Sequence, residues 1–90
     1  MNTAFLLMAQ YDAQVVIPVG TIVRDYFPHL SVDKFLRKTG NGEIDLPVTR
    51  IEPGSQKGAK GVHLHDLARY IDKRREAAQK ETRQLTGQPG

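Results

Sequence analysis

The strongest constraint on the fold is a pair of short helical segments separated by a proline. Residues 19–27 repeat apolar side chains at helical spacing, which predicts a helix with one buried stripe formed by Val19, Ile22, Val23, Tyr26 and Phe27. Arg24 and Asp25 fall on the opposite, solvent-facing side. Pro28 ends this helix, because proline lacks a backbone N–H and disfavours helix in the residue before it.

A second helix is predicted to begin at Ser31, which is a preferred N-cap residue, with Asp33 in the first turn where the helix dipole favours an anion. Val32, Phe35 and Leu36 are expected to point inward. Gly40 is expected to end the helix in a left-handed conformation. The linker 28–30 has the length typical of a helix-turn-helix motif.

Two β-type runs follow, at residues 46–51 and 61–64. Residues 52–60 between them contain one proline, two glycines and two lysines, which indicates a flexible cationic loop. A hairpin of this kind after a helix-turn-helix is typical of a DNA-binding wing.

The flanking segments are less constrained. Residues 4–11 favour a helix capped by Asn2 or Thr3, although they could also form a hairpin arm with the predicted strand 15–17, turning at 12–14. A long helix is expected from His65 or Asp66 onward, with Leu67, Ala68, Tyr70 and Ile71 toward the core. The predicted fold class is therefore α+β: a small winged helix-turn-helix with a long C-terminal helix.

We interpret residues 1–84 as a single domain. It divides into the helix-turn-helix (19–40), the wing hairpin (46–64) and the C-terminal helix (66–84), and residues 85–90 are expected to be a frayed tail. The formal net charge is +3, with −1 in residues 1–30, +2 in residues 31–64 and +2 in residues 65–90. This excess of bases suits a polyanionic partner.

Several classes of function are disfavoured by what the sequence lacks. It has no cysteine, which excludes disulfides and thiolate metal sites. No nucleophile motif or phosphate-binding glycine fingerprint is present, so we expect neither an enzyme nor a cofactor. His63, His65 and Asp66 lie together, but a metal site needs further convergent ligands. Strand-end packing and helix capping are favoured for these histidines.

Two groups of residues are the candidate DNA contacts. Arginine can donate two hydrogen bonds to guanine, and lysine can bind guanine or phosphate. The recognition-helix group is Ser31, Asp33, Lys34, Arg37 and Lys38. The wing group is Arg50, Ser55, Gln56, Lys57 and Lys60. The alternative for both groups is an ordinary solvated surface, and that alternative is favoured for the charge run at residues 73–75.

The order and spacing of several fragments resemble the pyocin activator PrtN family over nearly the whole chain, to about residue 78. The fragments are residues 4–11, 17–18, 24–27, 35–38, 42–44, 46–47, 50–52 and 60–64. This resemblance implies a bacterial transcriptional activator of phage-tail-like bacteriocin genes that binds repeated DNA boxes upstream of its targets. The element order also resembles excisionases and MerR-type domains, so an architectural DNA-bending protein is the alternative function.

The expected partners are double-stranded DNA, a second copy in a homodimer or cooperative array, and RNA polymerase as a further candidate. The apolar segment 5–8 is a candidate surface for binding another protein, because a core of this size does not cover it fully. The first residues carry no basic leader, and their apolar run is shorter than a bilayer span. We therefore expect a cytoplasmic, nucleoid-associated protein.

Overall fold

The computed structural model describes residues 2–87. These form a small α+β fold with four helices and one three-stranded antiparallel sheet. The elements in chain order are α1 (Thr3–Gln10), β1 (Val16–Pro18), α2 (Val19–Tyr26), α3 (Val32–Gly40), β2 (Thr49–Arg50), β3 (Lys60–His63) and α4 (Leu64–Thr86). The predicted α+β class and the long C-terminal helix are confirmed.

The N-terminal segment is a helix, as favoured from its composition, and the hairpin alternative is wrong. The Asn2 side chain caps α1 by accepting hydrogen bonds from the backbone N–H groups of Ala4 and Phe5. The chain then reverses through Asp12 and Ala13, both with positive φ. After this turn the chain enters β1, which lies at the edge of the sheet.

The sheet has the order β1-β3-β2, so β3 lies in the centre. Ile17 pairs with Val62, and Arg50 pairs with Lys60. The predicted strand 46–51 is shortened to Thr49–Arg50. The physical reason is that Leu46 is buried in the core and Pro47 has no N–H to donate, so this stretch packs inward instead of pairing. The partner strand begins one residue earlier than expected, at Lys60.

Two details of α3 differ from expectation. Gly40 is the last helical residue but is not left-handed; the positive φ occurs at Gly42, after Asn41 at the C-cap. The inward face is also narrower than predicted. Phe35 is fully buried and Leu36 is partly buried, whereas Val32, the first residue of the helix, is exposed.

The C-terminal helix begins earlier and ends later than the sequence indicated. His63 is its N-cap, since His63 Nδ1 accepts a hydrogen bond from the His65 N–H at 3.1 Å. This confirms the helix-capping role for His63, whereas His65 is an exposed residue of the first turn of α4. The helix runs to Thr86, so residues 85 and 86 are helical rather than frayed, and residues 88–90 of the predicted tail lie outside the described part.

The core lies between the sheet and the helices. Its fully buried side chains are Ile17, Ile22, Phe35, Val62 and Leu67. Phe27 joins the helices, because its ring lies 5.1 Å from that of Phe35 and 6.0 Å from that of Tyr70. As predicted, Leu67 and Ala68 of α4 are buried, and Tyr70 and Ile71 are partly buried and pack against the core. Within residues 2–87, no helix combines the length and apolar run needed to cross a bilayer.

A polar link fastens α1 to α2. The Tyr11 hydroxyl donates to Asp25 Oδ2 at 2.7 Å, and Arg24 Nε donates to Asp25 Oδ1 at 2.9 Å. The hydrogen bond from Arg24, which has the larger effect, and the hydrogen bond from Tyr11 hold the pKa of Asp25 below its ordinary value. Burial, followed by the hydrogen bond to Asp25, raises the pKa of the Tyr11 phenol. The ionised form of Asp25 is therefore the one that stabilises the fold.

We expect Tyr11→Phe to lower the thermal midpoint at pH 7 by a few degrees, because it removes a hydrogen bond to a charged group. Since the pKa of Asp25 is lowered by folding, this stabilisation is present at neutral pH and is lost as the pH falls through that pKa. The difference between the two proteins should therefore narrow in acid. Thermal unfolding followed by circular dichroism from pH 7 down to pH 2 measures it. An equal difference at every pH would contradict this account.

Candidate nucleic-acid interface

The outer face of α3 presents two cations. Phe35 anchors the helix in the core, so the residues on the opposite side are directed to solvent, and Asp33, Lys34 and Arg37 are all exposed. Within the described residues, neither the Lys34 ammonium nor the Arg37 guanidinium has a hydrogen-bond or ion-pair partner. Asp33 lies one turn before Arg37 and lowers the net positive charge of this face.

Two other members of the predicted helix group have structural partners. Ser31 Oγ accepts a hydrogen bond from the Lys34 N–H at 3.2 Å, which makes Ser31 the N-cap of α3. Lys38 Nζ lies 3.3 Å from Glu43 Oε2 and is half-buried. The structure therefore leaves Lys34 and Arg37 as the cations available to a ligand on this helix.

The loop between β2 and β3 carries the second predicted group. Its base is closed by a hydrogen bond from the Ile51 N–H to the Ala59 carbonyl at 3.0 Å. Lys60 Nζ donates to the Gln56 carbonyl oxygen at 2.9 Å, so this lysine braces the loop from within. Arg50, Gln56 and Lys57 are exposed, and Ser55 is half-buried.

The helix group and the loop group are held in one body by α2. This helix packs against α3 on one side and against β1 and β3 on another. Across residues 2–87, no hydrogen bond or ion pair runs directly from a member of one group to a member of the other. Their relative position is thus fixed through the apolar contacts of α2, especially the fully buried Ile22.

Two other groups of polar side chains, the possible metal ligands and the charge run at residues 73–75, show no sign of a binding site in the described residues. Among the residues that the structure describes, no group of three or more histidine, cysteine, aspartate or glutamate side chains is arranged to hold a metal ion. The run at residues 73–75 is exposed on α4. Lys73 Nζ pairs with Asp45 Oδ2 at 3.2 Å, in keeping with the favoured solvated-surface interpretation.

Sequence reasoning missed the role of Asp45. Its carboxylate lies 3.7 Å from Arg69 Nη1 as well as 3.2 Å from Lys73 Nζ, so it ties the segment after α3 to α4. Local pattern carries no signal for this contact, because Asp45 and Lys73 are 28 residues apart and meet only in the folded chain.

A family model described as "Pyocin activator protein PrtN" matches residues 3–78, which covers every element from α1 to the middle of α4. No curated protein and no solved structure matches the chain significantly.

Proposed function

The chain belongs to the pyocin activator family, and from this we propose that it activates the transcription of pyocin genes by binding DNA through α3 and the β2–β3 loop. In this proposal the fold acts as a winged helix-turn-helix, with α2 and α3 as the helical pair and residues 51–59 as the wing. The observation that carries it is the pair Lys34 and Arg37, which is exposed on the outer face of α3 and has no partner among the described residues.

The dimensions of α3 suit a DNA groove. An α-helix with its side chains is about 10–12 Å across, and the major groove is about 12 Å wide, so a helix such as α3, with 9 residues, can enter it. Arg37 lies directly opposite the buried face, so it would reach deepest toward the base edges. Its guanidinium can donate two parallel hydrogen bonds to a guanine, which makes it the proposed base-reading residue. Lys34, one turn earlier, would bind a base or phosphate.

The loop would contact the neighbouring backbone. Lys57 is exposed near its tip, and Arg50 is exposed on the strand that enters it. Phosphate contacts of this kind position a protein on DNA without reading sequence. Lys60 has a different part in this proposal: by donating to the Gln56 carbonyl it shapes the loop that presents Lys57.

Binding to repeated boxes upstream of the target genes, and contact with RNA polymerase, complete the proposal. A gel-shift titration and footprint on fragments upstream of pyocin genes, together with a promoter–reporter assay, test it. We expect protected, repeated sites and a rise in reporter signal on expression of the protein. Binding with no rise in signal would instead favour an excisionase-like protein that bends DNA, and absence of binding would overturn the DNA-binding role.

We expect Lys57→Ala to weaken binding to every DNA sequence by a similar factor, because a phosphate contact carries no base information. The slope of log K against log salt should become shallower by about one unit, since one fewer counterion is released. Lys80→Ala, at an exposed lysine on the far part of α4, is the matched control and should leave the slope unchanged. Equal slopes for all three proteins would exclude Lys57 from the interface.

A further inference from the structure

The outer face of α1 is apolar and uncovered. Leu7 and Tyr11 bury one side of this helix in the core, yet Phe5, Leu6 and Met8 on the other side are 67%, 51% and 44% exposed. Ala9 lies exposed between them, and α1 contains no acidic or basic residue. A helix that is apolar all round is normally buried on all sides. Here one side has no partner within residues 2–87.

The apolar surface continues beyond α1. Met8 and Val15 both line a groove of about 100 Å³ next to His63 and Leu64, and Val15 is 60% exposed. Taking roughly 150–200 Å² for a whole side chain of this size, the exposed parts of the four large residues amount to about 400 Å². A single apolar patch of this extent commonly marks an interaction site.

We propose that this face, formed by Phe5, Leu6, Met8, Ala9 and Val15, packs against the same face of a second copy of the chain. Doubled by a twofold axis, and with about 60% of an interface being apolar, it corresponds to about 1,300 Å² of buried surface. Stable, specific interfaces bury about 1,200–2,000 Å². The area therefore reaches that of a stable dimer once the polar residues that border this face are buried with it.

The charge distribution favours a second copy over other occupants. Two copies, each of net charge +3, repel one another least where their surfaces carry no charge, and α1 is such a surface. A membrane surface suits it less, because interfacial helices carry lysine and arginine beside their apolar face. DNA suits it least, since no cation is present to meet a phosphate.

The proposed dimer face contains none of the proposed DNA-contact residues. The face belongs to α1, which packs on α4, whereas Lys34 and Arg37 lie on α3, which packs on α2. The dimer does not depend on the proposed function, and its test contains no DNA. Its failure would therefore leave the DNA-binding role of α3 untouched, and failure of that role would leave the dimer untouched.

Sedimentation equilibrium of the full chain tests the dimer. We expect the unmodified protein to reach twice the mass of one chain at micromolar concentrations. Phe5→Glu should weaken the dimer at least about a hundredfold, because each copy then places an unpaired charge in the interface. Leu85→Glu, at a residue 88% exposed near the end of α4, is the matched control and should leave the mass unchanged. A single-chain mass for the unmodified protein at high concentration would overturn the proposal.

A second measurement does not depend on how Phe5→Glu folds. Because the chain has no cysteine, Ala9→Cys introduces one thiol on the outer face of α1. A short bis-maleimide should link two such chains efficiently at micromolar concentration, and should link chains carrying Leu85→Cys only at the rate of random collision. Equal linking of the two variants would contradict a dimer formed through α1.

Discussion

Replacing Gly61 by alanine should lower the free energy of unfolding by about 3 kcal/mol, the upper range for overpacking a well-packed interior. Gly61 lies in β3 at the centre of the sheet, opposite Pro18 on one side and Thr49 on the other. A Cβ placed there would lie 2.5 Å from Val16 Cγ1 and 2.6 Å from the Ile17 carbonyl oxygen. The carbonyl belongs to the backbone of β1 and can move only if the β1–β3 pairing opens.

Urea unfolding followed by circular dichroism measures this effect, with Gly20→Ala as the matched control. Gly20 lies in the first turn of α2, and a Cβ there would meet nothing within 4 Å. Alanine at that position should raise the free energy of unfolding by about 0.5–1 kcal/mol, because glycine is a poor helix former. If the two variants proved equally stable, the close approach of β1 to β3 at Gly61 would not hold.

Elements defined by local pattern were predictable from the sequence. The stripe through Ile22, Val23 and Phe27 located α2, and the Ser31 cap located the start of α3, because period and capping chemistry depend only on neighbouring residues. For α1, residue preference and a possible Asn2 cap favoured a helix, but the segment lacks a clear apolar stripe and its sequence also allowed a hairpin arm. The α+β class followed from the order of these elements.

Contacts between distant segments were not predictable. The pairing of β1 with β3 depends on Gly61 allowing the close approach of Ile17, and the sequence shows only a glycine at the start of a short predicted strand. Likewise, burial of Leu46 withdraws residues 46–48 from the sheet, although their composition is typical of a strand. In both cases tertiary packing overrides local propensity.

The candidate site shows the same division. Helical spacing correctly placed Lys34 and Arg37 on the outer face of α3. It also placed Lys38 there, which is half-buried, and Val32 inward, which is exposed. Helical spacing did not predict which groups pair with Lys38 and Lys60. Lys38 meets Glu43 across the turn after α3, and Lys60 meets a backbone carbonyl of its own loop. These contacts separate the bracing cations from those available to a ligand, a distinction that charge patterning alone does not make.

Arg37→Ala should weaken binding to the preferred DNA site about 10–100-fold and reduce the preference for that site over altered ones, because it removes the proposed bidentate contact to a guanine. The fold should be unaffected, since the Arg37 side chain is exposed and has no partner in the described residues.

Arg75→Ala, at an exposed arginine of α4, is the matched control for lost charge. Competition gel shifts with single-base variants of the site measure both affinity and preference. An equal loss on all sequences would make Arg37 a phosphate contact, and unchanged binding would remove α3 from the groove. Lys57→Ala serves as the internal reference, because its expected loss is the same for every sequence. The contrast between the two variants is what assigns base reading to the helix and backbone contact to the loop.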